Sequence, residues 1–202
     1  MLKVLFAVSL ASASFAVGHS VTHASTKDTA LYAFESATHN SVALWWQTST
    51  DKQGPDGWVS INHGEPVWKD SYDKEIESGR FDGVRWRLGQ NYWTVLDTNV
   101  NLTFGETEVA ANGYYVVLER TEEGDFRAFL LDQAQIRTTG LIASDAAKTT
   151  GGIEIPLEHE VVETKAENLT IGFSAREDDN ETVDWTIHFG PHKLTANFRR
   201  SN

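Results

Sequence analysis

Apolar and polar positions alternate between residues 84 and 119, with a turn-forming residue at nearly every break. Val84, Trp86 and Leu88 fall on one side of an extended backbone and Arg85 and Arg87 on the other, because successive Cβ atoms of a strand point to opposite faces. The same beat returns in Val100, Leu102 and Phe104 against Asn99, Asn101 and Thr103. Asp97-Thr98-Asn99 breaks the run. Asn112-Gly113 reads as a hairpin turn, since both residues accept the positive φ of primed turns, and Tyr114 to Glu119 reads as the return strand. Consecutive half-buried strands predict an all-β fold.

The rest of the chain extends the pattern. Val42, Leu44 and Trp46 alternate with Ala43, Trp45 and Gln47 in a first strand that stops at the Gly/Pro/Asp loop of residues 49–57. A short strand runs from Trp58 to Asn62, followed by a polar segment through Arg80 with one helical turn at about Asp70 to Glu77. Phe126 to Leu131 is apolar on both faces, which marks a strand buried on both sides. Residues 132–152 have little period and hold a short helix near Leu141 to Lys148. Ile153–Leu157, Leu169–Phe173, Val183–Phe189 and Leu194–Phe198 complete about ten strands, the last two joined as a hairpin across Gly190-Pro191. With at most one or two short helices in loops, the expected architecture is an antiparallel β-sandwich, jelly-roll or Ig-like, with a closed barrel as the alternative. Neighbours on one strand cannot share a core, so parity with Val42 and Leu44 puts Trp46 inside and Trp45 outside.

Length sets the domain count. With 202 residues, 40% of them hydrophobic, the chain suits one core, expected over residues 41–199. The N-terminus stands apart: Lys3 precedes an apolar run from Val4 to Ala16, and Ser14-Phe15-Ala16 places small residues where a signal peptidase cuts. Residues 1–16 are therefore expected to be a signal peptide, with an alternative cut after Ala24, and residues 17–40 a mobile leader. That run is shorter than the about 20 apolar residues a membrane span needs, and none of that length follows, so a soluble periplasmic or extracellular protein is expected. The absence of Cys removes any disulfide or lipid anchor and leaves stability to packing by seven Trp, ten Phe and five Tyr. A formal charge of −12 counts against nucleic acid and anionic membranes as partners.

Four runs carry a family resemblance: Gly64-Glu65-Pro66-Val67-Trp68-Lys69, residues 87–98 (RLGQNYWTVLDT), residues 150–157 (TGGIEIPL) and residues 188–194 (HFGPHKL). In order and spacing they resemble the bacterial family catalogued as domain of unknown function 2911, over about residues 57–198. The resemblance implies a secreted or periplasmic β-sandwich and no particular reaction.

Candidate chemistry is sparse. His188 and His192 lie four apart across Gly190-Pro191 and are the leading metal candidates if they converge, with hydrogen-bonded turn histidines as the alternative. His63 and His159 would be more distant ligands. Asp178-Asp179-Asn180-Glu181 is an acidic turn without the calcium-loop pattern, read as a solvated turn. No Gly-x-Ser-x-Gly elbow, thiol, glycine-rich phosphate loop or zinc-protease helix occurs, so no cofactor is expected; a carboxylate-pair hydrolase stays open. The aromatic set is more suggestive. Trp45, Trp58 and Trp68 around His63 form a possible stacking platform for a sugar or peptide, against the alternative that the indoles close the core. Arg85 and Arg87 either clamp a carboxylate or pair with cross-strand acids such as Asp97 or Glu119. The expected function is a non-catalytic module binding a carbohydrate, peptide or envelope partner. The alternatives are a hydrolase using carboxylates or a His-bound metal, and a structural envelope protein.

Overall fold

The computed structural model describes residues 20–23, 30–33, 38–47, 54–176, 179 and 181–201, divided into two units, residues 1–37 and 38–202. The expected signal peptide and the alternative cut after Ala24 lie outside the described residues. In the first unit β1 (Ser20–His23) pairs antiparallel with β2 (Ala30–Ala33).

The second unit is an antiparallel β-sandwich. Its first layer runs in the order β3 (His39–Trp46), β4 (Gly57–Gly64), β6 (Thr94–Thr98), β9 (Gly113–Arg120), β10 (Phe126–Asp132). The short β5 (Arg85–Arg87) sits beside the second half of β9, next in line after β6. β11 (Ile153–Ala175) is the corner. Its first residues pair with β10, and from Glu158 onward it pairs with β12 (Thr182–Arg200), which leads to β7 (Leu102–Phe104) and β8 (Thr107–Val109). β3 and β8 end the hydrogen-bonded order, so the sheet is not closed into a barrel among the described residues.

The two layers are held by one apolar cluster. Val59, Ile61, Leu96 and Val116 of the first layer pack with Leu102, Ile171, Trp185 and Phe198 of the second, all buried. Such faces form because the alternation along each strand delivers one apolar side. Trp46 packs against this core and Trp45 is 70% exposed, as strand parity requires.

A second cluster covers the opposite side of the first layer. Tyr115, Val117, Phe129 and Leu131 meet Ile136 of α2 (Gln133–Thr139) and Ala146 of a 3₁₀ helix (Ala143–Lys148). This explains why β10 is apolar on both faces. α2 is a helix that the periodicity leaves out, although its ends carry signals: Asp132 accepts a hydrogen bond from the Gln135 backbone N–H (2.9 Å), and Gly140 terminates it at φ 72°. α1 (Ser71–Glu77) falls where one helical turn is expected.

Two expected hairpins are corrected. The turn near residue 112 lies instead at Gly105, between β7 and β8, and the chain then crosses layers to enter β9, with neither Asn112 nor Gly113 at positive φ. Across Gly190-Pro191 β12 does not turn back. It continues along β11 as one strand with register irregularities between Val161 and Thr170. The extra residues lie on β11, and Gly190, at φ 59°, sits where β12 switches parity, so Val183, Trp185 and Ile187 face the core before it and Leu194, Ala196 and Phe198 after it.

Arg85 anchors the second cluster. Its guanidinium lies 3.6 Å over the Phe129 ring, 3.5 Å from Glu119, and donates to the Gly151 carbonyl (2.8 Å). Replacing Arg85 with Leu is expected to lower the unfolding free energy by about 1–2 kcal/mol, from the cation–π contact and the stranded acid. Urea denaturation measures this; a wild-type midpoint would mean that the guanidinium is held by neither contact in solution.

Candidate ligand-binding cavity

At one end of the sandwich, under α1, the layers form a partly open cavity of about 320 Å³. Its walls come from elements far apart in sequence: Trp68 from the β4–α1 connection, Tyr72 and Ile76 from α1, Trp86 from β5, Phe126 from β10 and Phe189 from β12. The rings meet edge to face, Trp68 on Phe189 (4.9 Å, 87°), Trp68 on Tyr72 (5.4 Å, 74°) and Trp86 on Phe126 (6.5 Å, 87°), the arrangement that aromatic quadrupoles favour. Trp68 rests on the backbone of Gly190, where a Cβ would overlap the fused bond of the indole. Its connection is tied down by a bridge between Val67 and Asn168 and by the Trp68 backbone N–H donating to the Glu167 carbonyl (2.7 Å).

One polar chain borders the cavity. The parity switch at Gly190 turns His192 inward, where Nε2 meets Asp73 Oδ1 of α1 (3.1 Å) and Nδ1 meets His159 Nε2 (3.0 Å). The rings of the two histidines stack at 5.2 Å and 28°, and His159 also lies against Phe126 (4.7 Å). A carboxylate only accepts, so the neutral pair is ordered: His192 donates from Nε2, His159 donates from Nε2, and the lone pair of His159 is left on Nδ1. Burial first, then His192 and Arg120, push the His159 pKa below its ordinary value. The chain therefore favours a neutral, oriented imidazole at its outer end.

The residues singled out from sequence are distributed over three surfaces. Trp68 lines the cavity. Arg87 borders it, but its register opposite Val117 places it on the face of the second cluster, and its guanidinium reaches the Asn91 carbonyl at 3.5 Å. Arg85 is held on that face too. Trp45 and Trp58 are cross-strand partners on β3 and β4, facing away from the core. His63 belongs to β4 rather than to a loop, and it is fully buried on the core side.

His188 and His192 do not converge. They fall on opposite faces of β12, because only His192 follows the parity switch. Among the described residues no group of three or more His, Cys, Asp or Glu side chains is placed to hold a metal ion. In the acidic turn, Asp179 accepts from Thr182 (2.6 Å) and pairs with Arg199 (2.7 Å), while Asp178 and Asn180 lie outside the described residues. Among the described residues no helix is long and apolar enough to cross a membrane.

Sequence reasoning missed Tyr72, Trp86, Phe126 and Phe189 as wall residues, and Asp73 as a partner of His192. The available signal was the convergence of three of the four singled-out runs, which bring Trp68, residues 87–90, and Phe189 with His192 to one cavity.

Burial lowers the pKa of His63 from 6.5; its Nδ1 lies 3.3 Å from the Gly64 carbonyl and its Nε2 has no partner. The folded state prefers the neutral ring, so the unfolded chain takes up the proton first as pH falls. The resulting stability is complete above about pH 6.5 and is lost progressively below it. The urea midpoint should fall between pH 7.5 and pH 5 by more in wild type than in His63→Gln. Equal falls would place the titration elsewhere.

No family model, curated protein or solved structure matches this chain.

Proposed function

We propose that the protein is an exported binding module, whose carbohydrate, peptide or envelope partner inserts a ring or apolar group into the cavity under α1. One observation carries the reading. Six aromatic side chains, drawn from both layers and from the segments beside them, surround a space that the core leaves unfilled. Interiors are ordinarily close-packed, and a preformed apolar concavity with few polar groups is the usual form of a ligand site. Localisation in the periplasm or outside the cell rests on the N-terminal pattern alone.

The test is tryptophan emission and melting temperature with glycans, peptides and envelope extracts, for wild type and for Ile76→Trp, which fills the cavity from α1. A true ligand changes both readouts in wild type and neither in the variant. No response to any of the panel in wild type counts against the module.

A second reading, a hydrolase, is favoured by the ordered chain from Asp73 through His192 to His159. A carboxylate that orients an imidazole is the arrangement by which general bases are prepared. On this reading turnover of a hydrolysable substrate disappears in His159→Gln and weakens in Asp73→Asn. Turnover unaffected by either substitution removes the reading.

A further inference from the structure

We propose that the cavity takes an uncharged, predominantly apolar ring system carrying at most one hydrogen-bonding group. This rests on the binding reading above and names its ligand class.

The polar groups of the wall are few and mostly engaged. His192 has both ring nitrogens engaged, one on Asp73 and one on His159. The Gln90 amide donates to the Glu65 carbonyl (3.0 Å). The Arg87 guanidinium is turned to the other face of the sheet, toward Asn91. The Trp68 indole N–H is sealed from solvent and unpaired. What remains is the hydroxyl of Tyr72 and the amide oxygen of Gln90, enough for a single polar contact.

Each charged class of ligand meets a specific obstacle. An anion would leave water without a cation to receive it, since among the described residues no lysine lines the cavity and Arg87 points away. It would also meet a chain of formal charge −12. A soft cation is attracted by ring faces, and six rings are present. Yet among the described residues no carboxylate side chain lines the wall, and Leu88, Leu118, Leu169, Ile187 and Leu194 would strip the cation of its hydration. A bare sugar fails differently, because all but one of the hydroxyls that lose water here find no partner.

Size narrows the class further. A volume of 320 Å³ corresponds to about ten waters at roughly 30 Å³ each, which suits one or two fused rings.

Three probes that share a ring and differ in charge separate the possibilities: 2-naphthylmethanol, 2-naphthoate and (2-naphthylmethyl)trimethylammonium. Binding is measured by titration calorimetry on wild type and Ile76→Trp, and the bound position by the indole N–H signals of Trp68 and Trp86 in NMR spectra of wild type. The expected result is that the alcohol binds at least tenfold more tightly than either ion, shifts those two signals and is lost in Ile76→Trp. If an ion binds as tightly as the alcohol, shifts the same signals and is lost in the variant, the ligand class is wrong and the site stands. If no probe binds, or if binding leaves the Trp68 and Trp86 signals unmoved, the site fails and the class fails with it. Because the NMR readout uses wild type, a misfolded variant does not spare the proposal.

Discussion

Gly190→Ala is expected to lower the unfolding free energy by roughly 2–5 kcal/mol and to abolish binding in the cavity. Two costs add. At φ 59° a Cβ is strained by about 1–2 kcal/mol, and the same Cβ drives into the Trp68 indole, an overpacking that costs about 1–3 kcal/mol. To escape it Trp68 must leave its place between Phe189 and Tyr72, which dismantles one wall. Urea denaturation and probe binding read the two effects separately. A variant within about 0.5 kcal/mol of wild type, the range of an ordinary surface substitution, would mean that Trp68 does not lie on Gly190.

Trp185→Ala is the second large effect, a loss of about 3–5 kcal/mol as expected for truncating a large aromatic in a closed core. Trp185 is fully buried on the inward face of β12 and meets Phe104 of β7 edge to face (6.0 Å, 71°). Its ring thus helps fix the far side of the second layer. The Trp185 N–H is buried without a partner, so Trp185→Phe removes an unpaired donor together with some volume and should cost much less than Ala. Trp45→Ala supplies the contrast: its side chain is 70% exposed, and the expected change is within about 0.5 kcal/mol. Equal losses at Trp185 and Trp45 would contradict the assignment of faces on which the sandwich depends.

The contrast between these two tryptophans shows what periodicity conveys. Alternation reports which side of a strand is apolar, and it does so without reference to partners. The inward place of Trp46, the outward place of Trp45 and the doubly apolar β10 were readable for that reason. Pairing is a different kind of information. Gly105 and Asn112-Gly113 both look like turns, and only the contacts of β9 with β6, β5 and β10 decide that the hairpin is at the first. Likewise Gly-Pro at 190–191 has the chemistry of a turn, but β11 runs alongside on both sides of it and offers the hydrogen bonds that keep β12 extended.

The cavity was legible only in pieces. Trp68 stood out as a tryptophan and His192 as a histidine, yet the switch of parity that brings His192 beside His159 depends on an irregularity in the pairing of β11 with β12 that no local pattern announces. Asp73 lies 119 residues from His192, and no local pattern connects them. Arg87 illustrates the reverse case. Its charge made it a candidate contact for a ligand, and the same strand alternation that places Trp86 in the cavity wall points its guanidinium away.

The layers leave an aromatic cavity under α1, and that cavity is proposed as the place where a ligand sits. A crystal structure of the protein soaked with 2-naphthylmethanol tests it most directly. The expected result is the naphthalene ring in density between Trp68, Trp86 and Phe189, with the hydrogen bond between Asp73 and His192 intact. Density for the ring on the outer face near Trp45 and Trp58, or a Trp68 side chain collapsed into the space, would contradict it.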